Sequence, residues 1–268
     1  MRDLKFIWNR LWIWVRNILI FFFVSSILAV IAFKWVSVYR TPLMYIRYCE
    51  QYIDGKDPQI KHQWVDMNLI SKHMPAAVIA SEDSHFLEHN GFDEKAILQA
   101  RLVALKGGKE RGASSISQQT AKNVFLWQGH SWVRKGLEAY FTFLIEKIWG
   151  KERIMEVYLN SIEMGDGIYG VQACANENFH KNASDLTQSD AALIAATLPN
   201  PLKFDSANPS RYMEKRRKQI VTGMNYLRSN NKAPDWGIDP ATIKHDATPI
   251  TEQKSNQKSG KKRKKRRR

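Results

Sequence analysis

Seventeen consecutive uncharged residues, Asn17 to Phe33, reading "NILIFFFVSSILAVIAF", constrain this chain more than any other feature. A helix of that length and hydropathy can cross a bilayer. Arg16 and Lys34 bound it with stems long enough to snorkel to the interfaces, and Trp12, Trp14 and Trp35 stand where tryptophan prefers the membrane surface. No small-residue A-x-A site closes the run and both flanks are basic, so the sequence predicts a retained anchor over 17–35 rather than a cleaved signal peptide. Arg2, Lys5, Arg10 and Arg16 precede the span, against Lys34, Arg40 and Arg47 after it. That balance slightly favours a cytoplasmic segment 1–16.

The chain has 268 residues and is 44% apolar, enough to build a full-sized core beyond the anchor. Its net charge of +15 suggests a nucleic-acid partner until the charge is located: "KSNQKSGKKRKKRRR" (254–268) holds ten Lys and Arg and no acid. A segment so poor in apolar residues cannot fold alone, and 236–268 is predicted to be a disordered basic tail. Cys49 and Cys174 are the only cysteines, which excludes a disulfide framework and a cysteine-based zinc site.

Between anchor and tail the pattern is helical. Pro42, Gly55 and Pro58 interrupt residues 36–69, predicted as a membrane-proximal connector. Ser71 is a candidate N-cap for an apolar helix running to about Gly91, with Glu82 inside it, and Asp93 to Leu105 reads as a second helix. "KGGKERGA" (106–113) reads as a mobile loop. Over 132–149, Leu137, Tyr140, Phe141, Leu144, Ile145 and Ile148 repeat at helical spacing, an apolar stripe facing a core. Thr187 and Asp190 form a capping-box pattern ahead of a helix stopped by Pro199, and "RYMEKRRKQIVTGMNYL" is a further helix. Almost nothing alternates with period two. The expected fold class is mostly α, one domain over 70–235.

Two chemistries compete for "SEDSHFLEHNGFD" (81–93). His85, Glu88 and His89 match H-x-x-E-H, a zinc-helix pattern, whereas Glu82-Asp83 at the front suggests an acid-base carboxylate. Further on, Ser114, Gln118 and Lys122 at i, i+4 and i+8 make a polar stripe at the start of a helix, where free backbone N–H groups would suit an anionic group such as pyrophosphate. Arg134 and Lys135 lie four and three residues before Glu138, placing two cations against one carboxylate. Each piece alone also fits an exposed, salt-bridged helix face.

Together, "EDSHFLEHNGFD", "GASSISQQTAKN", "RKGLE", "KERIMEVYLN" and "RRKQIVTGM", in this order, resemble the five motifs of the peptidoglycan glycosyltransferase family. The similarity covers roughly residues 70 to 225, and with the anchor and short chain it points to the monofunctional, single-span members. It implies a lysozyme-like helical domain that polymerises lipid II on the outer face of the bacterial inner membrane. Glu82 matches the family's general base and Glu138 its second glutamate. Asp83, Ser114, Gln118, Lys122, Asn123, Arg134 and Lys135 match its substrate-binding positions. No cofactor is implied as required, although a divalent cation beside Glu138 is compatible with the pattern. The implied partners are lipid II, the growing strand, the inner membrane and other cell-wall synthesis or division proteins, not nucleic acid.

The chain departs from the family pattern in places. Ser115 and Ser117 replace threonines, Ala113 a glycine, Leu137 a lysine of some members and Asn178 an aromatic.

The zinc reading explains five residues and leaves the other motifs without a purpose. Ser255 to Gly260 mimics penicillin-binding signatures, but S-D-N is absent. Two rivals remain distinguishable: a lysozyme-like hydrolase, which needs two carboxylates but no cation cluster or anchor, and an anchored binder of nucleic acid or anionic membrane, which needs no Glu82.

Overall fold

A computed structural model describes residues 2–108, 114–129 and 131–243, and these are mostly helical. Helix α1 (Arg2–Phe33) contains one stretch, Trp8–Phe33, long and apolar enough to cross a membrane, with a mean hydropathy of 2.3. At 1.5 Å per residue that stretch measures about 39 Å. It begins earlier than the predicted anchor and carries Arg10 and Arg16 within it. Its lower half exposes large apolar side chains, among them Trp12 and Phe21, as a lipid-facing surface would. Its end is bonded to the body of the protein. Val30 is fully buried, Ser26 and Tyr140 share a 2.9 Å hydroxyl bond, and Trp149 Nε1 donates to the Val30 carbonyl at 2.7 Å. Arg153 donates to the carbonyls of Phe33 and Val36.

The predicted connector is a built part of the fold. Pro42 starts a helix, α2 (Pro42–Ile53), instead of breaking one: proline's fixed φ and missing N–H suit the first helical turn, and the Thr41 side chain accepts from Met44 N–H. Helix α2 packs on α5 (Ile116–Phe125). Further along, β1 (Lys61–His62) pairs parallel with β3 (Ile168–Tyr169), which pairs antiparallel with β2 (Glu163–Gly165). So short a sheet carries no readable alternation.

The core centres on α3 (His73–Glu82), whose residues Met74 to Ile79 are all buried. It packs against α9 (Gln188–Ala195), α10 (Arg211–Ser229) and α7 (Lys151–Ser161). Close approach to α10 depends on Gly223, where an added Cβ would lie 3.1 Å from that of Ala80. A second layer joins α5 to α6 (Trp132–Ile148) and α7, and α8 (Val171–Cys174) packs behind the sheet. The α6 stripe divides: Phe141 and Ile145 enter the core, whereas Tyr140 packs against Phe22 and Phe23 of the anchor. The Thr187–Asp190 capping box forms as the pattern suggests, but α9 ends at Ala195, before Pro199.

Three expectations are corrected here. The helix expected to run to Gly91 stops at Glu82, because Asp83 leaves the helix at φ −157° and its carboxylate binds other groups; the N-cap position is Lys72, one residue later than expected, while the Ser71 hydroxyl accepts from the His73 N–H at 3.3 Å and donates to the Leu186 carbonyl. Residues 236–243 are not part of a disordered tail: Ile238 exchanges backbone hydrogen bonds with Ile70 and Lys72, Trp236 packs on the core, and Lys72 pairs with Asp239. Asn178, which departs from the family's aromatic, donates to Ser206 Oγ at 2.8 Å. The helix Asp93 caps is α4 (Glu94–Leu105), as expected. Most of the predicted glycine-rich loop (109–113) and the basic run 254–268 lie outside the described residues.

Candidate functional site

A cleft of about 790 Å³ opens between the end of α3, the start of α5 and the flank of α10. Glu82, Ser114 and Lys122 line it, joined by Ser81, Gln119, Leu198, Pro199, Tyr212, Lys215, Arg216 and Gln219. Glu82 reaches this position because α3 terminates there. One carboxylate oxygen accepts from Ser81 Oγ at 3.0 Å and the other from Gln119 Nε2 at 3.3 Å. Lone pairs on both oxygens remain for a third partner.

Asp83 is adjacent in sequence but does not line the cleft. Its carboxylate accepts from the Ile116 N–H at 3.0 Å and contacts His89 Nε2 at 3.0 Å through both oxygens. It therefore fastens the start of α5 to the end of α3, using the helix N-terminus as an anion site for itself. Of the N–H groups expected to be free there, those of Ser115, Ile116 and Gln118 are occupied. Ser115 and Gln118 form a capping box that accounts for the Gln118 N–H as well, so Gln118 is buried in helix capping.

The two histidines of the zinc pattern are each engaged by a different carboxylate. Residues 85–89 form turns, not a helix; His85 Nδ1 meets Asp93 at 2.9 Å, His89 meets Asp83, and Glu88 pairs with Lys232.

Beyond Lys122 the cleft gives way to a charge cluster on α6. Arg134 Nη1 lies 2.9 Å from one oxygen of Glu138, and Lys135 Nζ pairs with the other. Arg134 and Glu138 are buried, whereas the Lys135 side chain is 47% exposed. Burial pushes the pKa of Lys122 below its ordinary value; the Glu138 charge opposes this, while Arg134, Lys135 and Arg47 reinforce it. Lys122, Arg134 and Lys135 thus share one region with a single carboxylate, Glu138, between them. Arg47 arrives from α2, where it pairs with Glu50 and with the buried Glu163. Among the described residues, Asn123 Nδ2 and Arg134 Nε are buried without a hydrogen-bond partner. An excess of positive charge with unspent donors is an environment for a polyanion.

The structure therefore brings Glu82, Ser114 and Lys122 into one cleft and sets Arg134, Lys135 and Glu138 behind Lys122. It gives Asp83 and Gln118 local structural partners and buries Asn123. Gln119 was missed because the i, i+4 stripe pointed to Gln118, yet S-x-x-Q at 115–118 is itself a capping-box signature and should have diverted attention to the next residue. Tyr212, Lys215, Arg216 and Gln219 were also missed, although i, i+3, i+4, i+7 is a readable polar face of α10.

Residues 50–225 match the family model described as "Transglycosylase". A protein of Bacteroides thetaiotaomicron named "Biosynthetic peptidoglycan transglycosylase" is 60% identical over 214 residues, covering 80% of this chain and 86% of its own length. Proteins of the same name from Pseudomonas savastanoi and Xanthomonas campestris are 44% identical over 87% of this chain and 47% identical over 77%, at 100% and 85% of their own lengths. The match reaches back to residue 50, which agrees with the structural role of α2. On these grounds the chain belongs to the transglycosylase family.

Proposed function

We propose that this protein is a peptidoglycan glycosyltransferase that polymerises lipid II into β-1,4 glycan strands and releases undecaprenyl diphosphate. The observation that carries this reading is one carboxylate, Glu82, sharing a cleft with Lys122 at the edge of a cluster holding Arg134 and Lys135. A hydrolase needs a second carboxylic acid to protonate a sugar leaving group. A diphosphate leaves without a proton when cations meet its growing charge. The cation cluster therefore favours transfer from a diphosphate donor over hydrolysis.

In the proposed reaction Glu82 takes the proton from the acceptor sugar's 4-hydroxyl as that oxygen bonds to the donor's anomeric carbon. The bond from that carbon to the diphosphate oxygen breaks, and its electron pair leaves with the diphosphate, facing Lys122, Arg134 and Lys135. A single displacement inverts the α-linked donor to a β-linkage. Glu138 holds Arg134 and Lys135 in place. Both of its oxygens face cations.

The same reading places α1 across the bacterial inner membrane with its N-terminus in the cytoplasm and the catalytic domain in the periplasm, where other cell-wall synthesis or division proteins are candidate partners. Supporting it are the apolar stretch Trp8–Phe33 and the bonds that tie its end to α6 and α7. The test is incubation of the detergent-solubilised chain with lipid II. Polymer is expected, and Glu82→Gln should lower its rate by about 10²–10⁴-fold while donor binding persists. Shortened pre-formed glycan would indicate the hydrolase instead, and near-normal turnover by Glu82→Gln would remove Glu82 from this role.

A further inference from the structure

Tyr158 is a titratable group that the reaction above leaves unused. It is fully buried on α7, yet its hydroxyl points to the cleft wall and bonds Gln119 Oε1 at 3.1 Å. On its other side the Gln119 amide meets Glu82 Oε2 at 3.3 Å and the Ser114 carbonyl at 3.4 Å.

The direction of these bonds is forced. A carboxylate and a carbonyl oxygen only accept, so the amide must present its NH₂ to Glu82 and Ser114. Its oxygen must then face Tyr158, and the phenol must donate. Burial, with the charges of Glu82 and Asp83 nearby, holds the Tyr158 pKa well above that of a free phenol. The donor is therefore present wherever the enzyme works.

We propose that Tyr158 is a positioning residue for the reaction: by donating to Gln119 it fixes which end of that amide faces Glu82, and so holds the carboxylate charged and aimed at the acceptor hydroxyl. The relay crosses three helices, α7 to α5 to α3. Without the phenol oxygen, Gln119 either keeps its orientation with an unsatisfied buried oxygen or turns and sets that oxygen against the carboxylate; both disfavour the ionised, aligned Glu82. The other charged groups around Glu82 stay in place: Lys122 on α5, Lys215 and Arg216 on α10, with Arg216 donating to the Ser81 carbonyl at 3.2 Å, and Asp83 beyond the end of α3.

The inference rests on Glu82 being the base, and the experiment separates the two claims. Full-length Tyr158→Phe, Gln119→Leu, the double variant and Glu82→Gln are assayed for lipid II polymerisation across pH, with thermal melting alongside. For Tyr158→Phe the expectation is a kcat lower by about 3–10-fold, the worth of one neutral hydrogen bond. KM should be little changed and the acid limb of the pH–rate profile should move to higher pH. Because Tyr158 acts through Gln119, the double variant should match Gln119→Leu alone. A lower melting temperature with wild-type kcat and acid limb, or multiplying effects in the double variant, would overturn the relay while leaving Glu82 as the base. Wild-type kinetics in Gln119→Leu would overturn it even were Tyr158→Phe unable to fold. Near-normal turnover by Glu82→Gln would bring down both claims.

Discussion

Glu138→Gln probes the charge cluster most directly. The amide keeps the shape of the side chain and one acceptor oxygen but removes the charge that offsets Arg134 at 2.9 Å, with both side chains at least nine-tenths buried. Removing one partner of a buried pair costs about 3–5 kcal/mol. The remaining acceptor returns about 0.5–1.5 kcal/mol of this through a hydrogen bond from Arg134. Lys135, half exposed, adds at most about 1 kcal/mol. A net loss of about 1.5–5.5 kcal/mol follows, a fall in Tm of roughly 3–22 °C for a domain of this size. Turnover should be severely slowed too. A diphosphate would replace the missing negative charge, so inorganic pyrophosphate should raise the Tm of the variant by more than that of the wild type. Calorimetry with and without pyrophosphate provides the assay. A variant melting within about 1 °C of wild type, or one protected no better by pyrophosphate, would refute the assignment of this cluster as a counter-charged anion site.

Further predictions concern other parts of the chain. Burial lowers the Lys122 pKa, so its charge is lost as pH rises through that lowered value, and pyrophosphate affinity should fall earlier on the alkaline side than an ordinary lysine would allow. The folded state, conversely, gains stability as pH rises between the lowered and the ordinary value, because the unfolded chain holds the proton more tightly. Lys122→Arg stays charged and should shift the alkaline limb of binding upward; an unmoved limb means another group controls it. Gly237 sits at φ +90°, where a Cβ would overlap the Ile70 carbonyl oxygen, so Gly237→Ala should cost about 1–3 kcal/mol in denaturant melts. Gly55→Ala, at φ +70° with nothing near, should cost less, and equal losses would deny the strap over 236–243 a structural role. Truncation after Thr251 removes all ten cations of the terminal run. It should leave the rate in detergent unchanged and weaken binding to anionic vesicles in a salt-dependent way, each Lys or Arg being worth about 1 kcal/mol near such a surface. Vesicle binding insensitive to truncation or to salt rejects that role.

The sequence by itself determined what depends on neighbours along the chain. An uncharged run of 17 residues announces a membrane-length helix because hydropathy and length are local properties. The capping boxes at Ser115 and Thr187 and the cap at Asp93 are decided within four residues, as is the pairing of Arg134 and Lys135 with Glu138 across one helical turn. Five short motifs in order were enough to indicate the family. The tertiary structure decided which of those residues meet. Asp83 follows Glu82 in sequence yet turns inward to hold the Ile116 N–H, because α3 ends between them. Gln119 rather than Gln118 faces the carboxylate, since the capping box takes the first glutamine. The α10 wall of the cleft and the Tyr158 relay join residues more than 35 positions apart, and the strap at 236–243 closes onto Ile70 and Lys72 from the far end of the domain. Such contacts arise from packing apolar helices around α3. The periodicity of each helix records which face is buried but not which partner buries it.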